Sequence, residues 1–246
     1  MLYNNLEAWK WQIGFQHSTT AICDGIQYVY NYVYIFLIFI FFFLFVIIWQ
    51  IMDRFFRQIR NIHLRSKDDN MLIYYHLSKL KLNHNTLLEF IWTLFPITIL
   101  TLIAVPSFIL LYSMDEIVEP SITLKIIGHQ WYWEYDYINL LGDTKNFESW
   151  MIPTDDLEFG ELRLLEVDKA PILPIKTHIR LLITSADVLH CWTIPSIGVK
   201  IDAVPGRLNQ GTIFFHTTGI HYGQCSEICG VNHGFMPIKI VSILNK

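Results

Sequence analysis

The sequence predicts two membrane-spanning helices followed by an all-β domain of the sandwich or barrel type. Two observations lead to this fold class. Two apolar stretches near the amino end are each long enough to cross a bilayer, and short segments of alternating polarity follow Pro120. The 246 residues are 52% hydrophobic, and much of that hydrophobicity lies in the two apolar stretches.

The first predicted span covers residues 28–52, which correspond to about 37 Å of helix at 1.5 Å per residue. Its central part, Val33 to Trp49, carries no charged side chain. The second predicted span covers residues 88–112 and contains Pro96 and Pro106, which membrane helices tolerate better than soluble ones. Both stretches are too long and too apolar for ordinary core helices, so we expect a transmembrane hairpin.

The loop between the spans predicts the orientation. Residues 53–87 hold seven Lys or Arg and three acids, and such a positive excess marks the inner side of a membrane. Residues 1–27 and 113–246 would then face outward. From residue 113 onward there are ten Lys or Arg and sixteen acids, a net charge of −6. We therefore expect a basic protein partner for the outer domain and no nucleic acid.

The outer domain reads as short strands separated by turn residues. Strands with one buried face are predicted where apolar and polar residues alternate, as on residues 175–183. No convincing helix interrupts them, and we expect an antiparallel sandwich or barrel. The full set of predicted strands is Ile122–Ile127, Gln130–Tyr137, Leu162–Val167, Ile175–Ile183, Val188–Ile194, Thr212–His216 and Pro237–Leu244.

The segment from Tyr222 to Pro237 carries the chemistry. It places two thiols, an imidazole and a thioether within twelve residues, at Cys225, Cys229, His233 and Met236. Copper favours this mixture of soft sulfur and nitrogen donors, which serves both of its oxidation states. His190, 35 residues upstream, can supply a second imidazole from a different strand.

Three other interpretations of this segment stay open on spacing alone. The i, i+4, i+8 spacing would align the two cysteines and His233 on one helix face, although the surrounding glycines and proline favour a loop. A disulfide between Cys225 and Cys229 is one alternative, and structural zinc is another.

Strand alternation turns Cys191 away from His190, which suits a small buried hydrophobe. Cys23 has no predicted role.

Longer motifs reveal a family resemblance. The strings IGFQ, LEFIWTLFP, MDE, GHQWYWEYDY, GELRLLEVD, SADVLHCW, DAVPGRLNQ and YGQCSEICGVNHGFMP occur in this order along the chain. In all of them the chain resembles subunit 2 of cytochrome c oxidase, of the mitochondrial type. One departure is Cys191, where the family more usually has serine.

The resemblance implies a cupredoxin-like outer domain with a dinuclear copper A centre. Cys225 and Cys229 would bridge the two ions, and His190 and His233 would bind one ion each. The weak axial ligands would be Met236 and the backbone carbonyl of Glu227. The Glu227 carboxylate would also bind a magnesium ion shared with subunit 1.

Further roles follow from the resemblance alone. Trp131 would be the point of electron entry from cytochrome c, and Glu89 would lie at the entrance of a proton pathway into subunit 1. Three acids, Asp136, Asp168 and Asp187, would help to receive cytochrome c. The chain would pass electrons to haem in subunit 1, where oxygen is reduced to water and protons are pumped.

The expected location is the mitochondrial inner membrane, with the outer domain in the intermembrane space, and the alternative is a bacterial plasma membrane. The start of the chain matches neither a secretory signal nor a transit peptide, so we expect insertion without import. A haem-binding CxxCH motif is absent from the sequence. Two rival functions are a copper-free structural subunit of a quinol oxidase and a membrane-tethered copper carrier.

Overall fold

The computed structural model describes residues 5–6, 8–65, 84–116, 118–138 and 144–244. The chain divides into two compact units. One unit consists of residues 29–108 and contains most of the two long helices. The other consists of residues 1–28 and 109–246 and contains the β-domain together with the amino-terminal segment.

Helix α1 runs from Ala21 to Arg65 and helix α2 from Thr86 to Asp115. Each contains one predicted span and extends beyond it, and both are long and apolar enough to cross a membrane. The two helices pack through Phe95 of α2, whose ring lies 6.2 Å from Phe39 and 6.0 Å from Phe43 of α1. Most other apolar side chains of the helices face outward, as expected of a lipid-exposed surface.

Helix α1 extends into the predicted inner loop, and helix α2 continues through two prolines. Residues 53–65, which the sequence places in the inner loop, continue helix α1, whereas residues 66–83 lie outside the described part of the chain. Pro96 and Pro106 lie inside α2 without ending it. The inner-side location of the loop stays a prediction.

The β-domain contains two larger sheets and a two-stranded ribbon. The five-stranded sheet has the order β4-β3-β2-β6-β9, the four-stranded sheet β1-β10-β11-β5, and the ribbon pairs β7 with β8. The strands are β1 Asn5–Leu6, β2 Ile122–His129, β3 Tyr132–Ile138, β4 Thr144–Ser149, β5 Ile172–Pro174, β6 Ile179–Ser185, β7 His190–Ile194, β8 Val199–Ala203, β9 Asn209–Ile213, β10 Gly219–Gln224 and β11 Pro237–Ile243.

Both larger sheets and the ribbon share one hydrophobic core. Fully buried side chains reach it from each of them, among them Leu124, Leu181, Trp192 and Ile240. Strands β2, β6 and β11 show the burial alternation typical of a sheet with one core face. The fold class predicted from the sequence, two membrane helices followed by an all-β sandwich of the cupredoxin-like type, is therefore confirmed.

Several details differ from the sequence-based expectation. The sheets are mixed and not purely antiparallel, because β2 pairs with β6 in parallel and β11 with β5 in parallel. The predicted strand Leu162–Val167 is wrong, since the amide groups of Leu165 and Glu166 both bond to the carbonyl of Leu162 in a turn. The predicted strand at 175–183 begins only at Ile179, because Lys176 has a φ of 54° that breaks the extended backbone.

The amino-terminal segment is bonded to the β-domain. Strand β1 pairs in parallel with β10. The Thr19 hydroxyl donates to the Ser196 carbonyl at 3.1 Å, and the Thr20 hydroxyl to the Ile197 carbonyl at 2.7 Å. Cys23 is buried in the same contact, where its thiol lies 3.5 Å from the carbonyl of Pro195. Cys23 thus packs against the turn that follows β7.

Candidate metal centre

The segment between β10 and β11 is a loop. It begins at Cys225, directly after β10 ends, and its only described helical residues form a short 3-10 turn at His233–Phe235. Gly230 adopts a φ of +127°, which favours glycine. The helix-face interpretation is therefore wrong. Cys225 and Cys229 are free thiols, so the structure contains no disulfide between them.

All six sequence-predicted copper ligands converge. The Cys229 sulfur lies 3.5 Å from Nδ1 of His233 and 3.4 Å from the Met236 sulfur. The Cys225 sulfur lies 3.9 Å from Nδ1 of His190 and 3.4 Å from the carbonyl oxygen of Glu227. One donor atom each from His190, Cys225 and Cys229 lies within 4.8 Å of the other two.

The chemistry of this donor set fits copper better than zinc. Structural zinc takes four ligands in a closed tetrahedron, which would leave the Met236 thioether and the Glu227 carbonyl without a function. Here both groups lie beside a cysteine sulfur. A weak thioether or carbonyl donor beside thiolate and imidazole is typical of copper electron-transfer sites.

His190 enters the site from the start of β7 and is held on three sides. A Cβ atom at Gly128 would lie 2.9 Å from its ring, so the imidazole packs directly on the backbone of β2. The Trp133 ring meets it edge-on at 5.8 Å. Its Nε2 lies 2.8 Å from Oδ1 of Asp187. This contact leaves Nδ1 facing the Cys225 sulfur, which is the orientation that a ligating imidazole needs.

Hydrogen bonding and charge set the protonation of the site. Burial lowers the pKa of His190, but its contacts with Cys225 and Asp187 outweigh that effect and raise the pKa overall. Burial raises the pKa of the Cys225 thiol, yet its hydrogen bonds with His190 and with the backbone of Cys191 and Glu227 lower it overall. Burial and the negative charge of Cys225 both raise the pKa of Cys229. Two adjacent thiolates thus require a compensating cation.

Asp187 combines several contacts at the edge of the site. Burial raises the pKa of its carboxyl, but bonds to His190, Val188 and Gln130 lower it overall. One of these is a 2.6 Å bond from the Gln130 backbone amide to Oδ2. The sequence assigned Asp187 to cytochrome c docking, whereas the structure shows it bonded to the His190 ring.

Trp131 lies next to the metal-binding loop. A Cβ at Gly230 would be 3.0 Å from Cζ2 of Trp131, so the indole packs on the loop backbone beside Cys229. The Gln130 side chain donates to the Cys229 carbonyl at 2.7 Å and fastens the β2–β3 turn to the same loop. Trp131 is partly exposed, while Trp133 and Tyr135 on the same predicted face are fully buried.

The other predicted site residues lie outside the donor set, where Asp168 is exposed and Asp136 and Glu89 are partly exposed. Asp136 is 3.7 Å from Lys125, and Asp168 accepts hydrogen bonds from the backbone amides of Trp150 and Lys169 at 2.7 and 2.8 Å. Glu89 lies in the first turn of α2, where its carboxylate is 2.9 Å from Nδ1 of His84. Among the described residues, the contacts of Asp136 and Asp168 are with Lys125 and with backbone amides, and not with the metal donors.

Two residues that position the metal ligands could not be identified from the sequence. The Trp133 indole donates to the Met236 carbonyl at 3.2 Å while its ring contacts His190, and so it touches both ends of the ligand set. Gly128 provides the space for the His190 ring. Cys191 is buried, and burial raises the pKa of its thiol to about 11, which suits an inert hydrophobic role.

Comparisons with known proteins match both parts of the chain. Residues 122–243 match the family model of the cytochrome c oxidase subunit II periplasmic domain, and residues 8–110 match that of its transmembrane domain. Cytochrome c oxidase subunit 2 of Chondrus crispus is 48% identical over 94% of this chain and 86% of that protein.

Two further matches cover different parts of the family. The mitochondrial cytochrome c oxidase subunit 2 of Glycine max is 50% identical over 96% of this chain and 57% of that protein. The crystal structure of the subunit II periplasmic domain from Bradyrhizobium japonicum is 42% identical, covers 53% of this chain and 89% of that one, and gives a TM-score of 0.48.

The match to the transmembrane family model, the mitochondrial relative and the two apolar helices support a membrane protein of the mitochondrial inner membrane. Its partners include the other subunits of cytochrome c oxidase. The chain therefore belongs to the cytochrome c oxidase subunit 2 family.

Proposed function

We propose that this chain accepts electrons from reduced cytochrome c at a dinuclear copper A centre and passes them to haem in subunit 1. There the electrons reduce oxygen to water, coupled to proton pumping. The observation that carries this proposal is the convergence of six donors from two parts of the chain: His190, Cys225, the Glu227 carbonyl, Cys229, His233 and Met236.

The copper pair, when bound, supplies one-electron redox chemistry. The protein holds its donors on a loop whose two ends are fixed by the paired strands β10 and β11. Cys225, Cys229 and Met236 are buried, which keeps water from their sulfur atoms. A donor set that is held this firmly changes little in geometry when the charge of the centre changes.

Metal analysis tests this proposal against its rivals. The intact oxidase should contain two copper ions attributable to this chain, and mild chelators should not remove them. A copper-free chain would support the quinol-oxidase rival, and rapid loss of copper to the chelator would support the carrier rival. Zinc in place of copper would contradict both the proposal and the carrier.

For electron entry we infer that Trp131 mediates transfer from cytochrome c, because it is partly exposed and packs on the loop beside Cys229. Trp131→Ala should slow the reduction of the oxidase by cytochrome c while leaving the copper spectrum intact. Trp9→Ala, which alters an exposed tryptophan of the amino-terminal segment, is the matched control. Equal rates in the two variants would remove the role of Trp131.

The acids Asp136 and Asp168 would attract basic cytochrome c as part of the negative outer surface, and Asp187 would contribute at its edge. Charges in contact with solvent act mainly on the association rate and are screened by salt. The rate at which cytochrome c binds should fall as ionic strength rises, with a smaller dependence in Asp136→Asn and Asp168→Asn. An unchanged salt dependence in both variants would argue against docking at these acids.

Glu227 would hold magnesium at the boundary with subunit 1 through its carboxylate, while its carbonyl serves the copper centre. The residue is exposed, so its carboxylate is accessible to a partner. Glu227→Gln should abolish magnesium binding, measured by manganese substitution and electron paramagnetic resonance, and should preserve copper, since the backbone carbonyl is unchanged. Retention of the manganese signal would contradict this assignment.

We further propose that the outer domain faces the intermembrane space and that Glu89 lies at the entrance of a proton pathway. The orientation rests on the positive excess in residues 53–87. Glu89→Gln should slow proton uptake in reconstituted vesicles, with Asp53→Asn as the control from the other helix. Equal proton uptake in both variants would leave Glu89 as an interfacial residue paired with His84.

A further inference from the structure

An ion pair between a buried carboxylate and a partly buried ammonium lies outside the ligand set, in the same unit. Glu166 is 3% exposed, and one of its carboxylate oxygens accepts a bond from the Lys239 ammonium. The other oxygen is 3.3 Å from the hydroxyl of Tyr222. The Lys239 ammonium also lies 5.8 Å from the centre of the Tyr222 ring. We call Glu166 and Lys239 the loop-base pair.

The loop-base pair lies where the two strands that flank the metal-binding loop meet it. Tyr222 and Lys239 lie directly opposite each other in the β10–β11 ladder. These two strands lead into and out of the metal-binding loop, so Tyr222 precedes Cys225 by three residues and Lys239 follows Met236 by three. At about 3.3 Å per residue of strand, Tyr222 and Lys239 each lie roughly 10 Å along the chain from the nearest sulfur donor.

Stability alone gives a weak reason for such a pair. The cost of removing two charges from water nearly offsets their mutual attraction, so apolar residues of similar size often serve as well. A buried charge does, however, act on neighbouring charges with little screening by solvent or salt. At this distance the relevant neighbour is the copper centre, whose net charge changes by one on reduction.

We propose that the two charges of the loop-base pair act in opposite directions on the reduction potential of the copper centre. Because they lie together at the base of the loop, their effects on the potential cancel. This inference rests on the proposed copper function. A lone cation at this position would favour the reduced centre, and a lone anion would favour the oxidised centre. As a pair, Glu166 and Lys239 contribute almost no net charge at the base of the loop, while Glu166 bonds to Lys239 of β11 and to Tyr222 of β10.

Redox titration of the intact oxidase, followed by the electron paramagnetic resonance signal of the copper centre, tests this inference. Glu166→Gln should shift the reduction potential upward, and Lys239→Met should shift it downward. The double variant should return it to the wild-type value. Tyr222→Phe removes a hydrogen bond to Glu166 but no charge, and should leave the potential unchanged.

Exposed charges provide the controls. Glu158→Gln and Lys200→Met alter side chains in contact with solvent, and both should leave the potential unchanged because water and salt screen them. Shifts of the same sign in Glu166→Gln and Lys239→Met, or no shift in either, would overturn the inference. So would a shift in Tyr222→Phe as large as theirs, which would indicate a purely geometric effect.

Where one single variant does not assemble, the other still tests the sign of its own shift, and the double variant, which contains no unpaired buried charge, tests whether the two charges cancel. A double variant whose potential departs from that of the wild type would overturn cancellation. The copper proposal fails in a different way, through a wild-type signal that does not arise from two coppers. The two failures are therefore distinguishable.

Discussion

His221 makes the stability of the β-domain depend on pH. Its ring is fully buried on β10, with Nδ1 at 3.2 Å from the Ser196 hydroxyl and Nε2 at 2.9 Å from the Ser242 hydroxyl. The Ser242 hydroxyl lies within hydrogen-bond distance of two carbonyls, those of Thr217 and Gly219. If it donates to them, it accepts from Nε2, and His221 is the neutral tautomer with its proton on Nε2.

Burial lowers the pKa of His221 from 6.5 to about 4. The unfolded chain therefore binds a proton near pH 6.5, while the folded chain resists protonation until about pH 4. Stability from this residue is complete above pH 6.5 and is lost as the pH falls from there toward 4. At 1.36 kcal/mol per pKa unit, the loss at pH 4 is about 3 kcal/mol.

The measurement is urea unfolding of the metal-free full-length chain in detergent, followed by tryptophan fluorescence between pH 7 and pH 4. His221→Gln removes the titrating group, so the free energy of unfolding of the wild type should fall by about 3 kcal/mol more than that of the variant. His216→Gln, which alters an exposed histidine, should retain the wild-type dependence. Parallel curves for the wild type and His221→Gln would refute the reasoning.

Three further predictions concern the supports of the metal centre. Gly128→Ala places a methyl group against the His190 ring and should reduce copper occupancy; full occupancy, measured by metal analysis, would contradict the close packing. Trp133→Phe removes the 3.2 Å hydrogen bond to the Met236 carbonyl, which should lower the free energy of unfolding by about 1 kcal/mol. The copper spectrum should also change, and an unchanged spectrum would limit the role of Trp133 to packing. Asp187→Asn should lower the pKa of His190 in the metal-free chain, measured by nuclear magnetic resonance titration; an unchanged pKa would contradict the 2.8 Å contact.

The sequence alone predicted the parts of the molecule that depend on local spacing. The helices follow from their apolar length, and Cys225, Cys229, His233 and Met236 are close together because they share one short loop. The sequence offered His190 as a second imidazole, but the family resemblance was needed to assign it to this loop, since an isolated histidine in a strand does not indicate its spatial neighbours.

Other features depend on tertiary contacts that spacing does not encode. Nothing in the strand around Gly128 shows that an imidazole packs on it, and the alternation that buries Trp133 does not reveal its bond to Met236. The parallel pairing of β2 with β6 joins strands that are far apart in sequence. The turn at Leu162 replaced a predicted strand because its carbonyl captures two nearby amide groups, a local competition that apolar content hides.

The central claim is that Cys225 and Cys229 bridge two copper ions. Electron paramagnetic resonance of the oxidised oxidase tests it most directly, provided that the signals of the haem groups are separated. The account predicts seven copper hyperfine lines, because one unpaired electron is shared by two equivalent nuclei. A four-line spectrum, which a single copper ion produces, would contradict it.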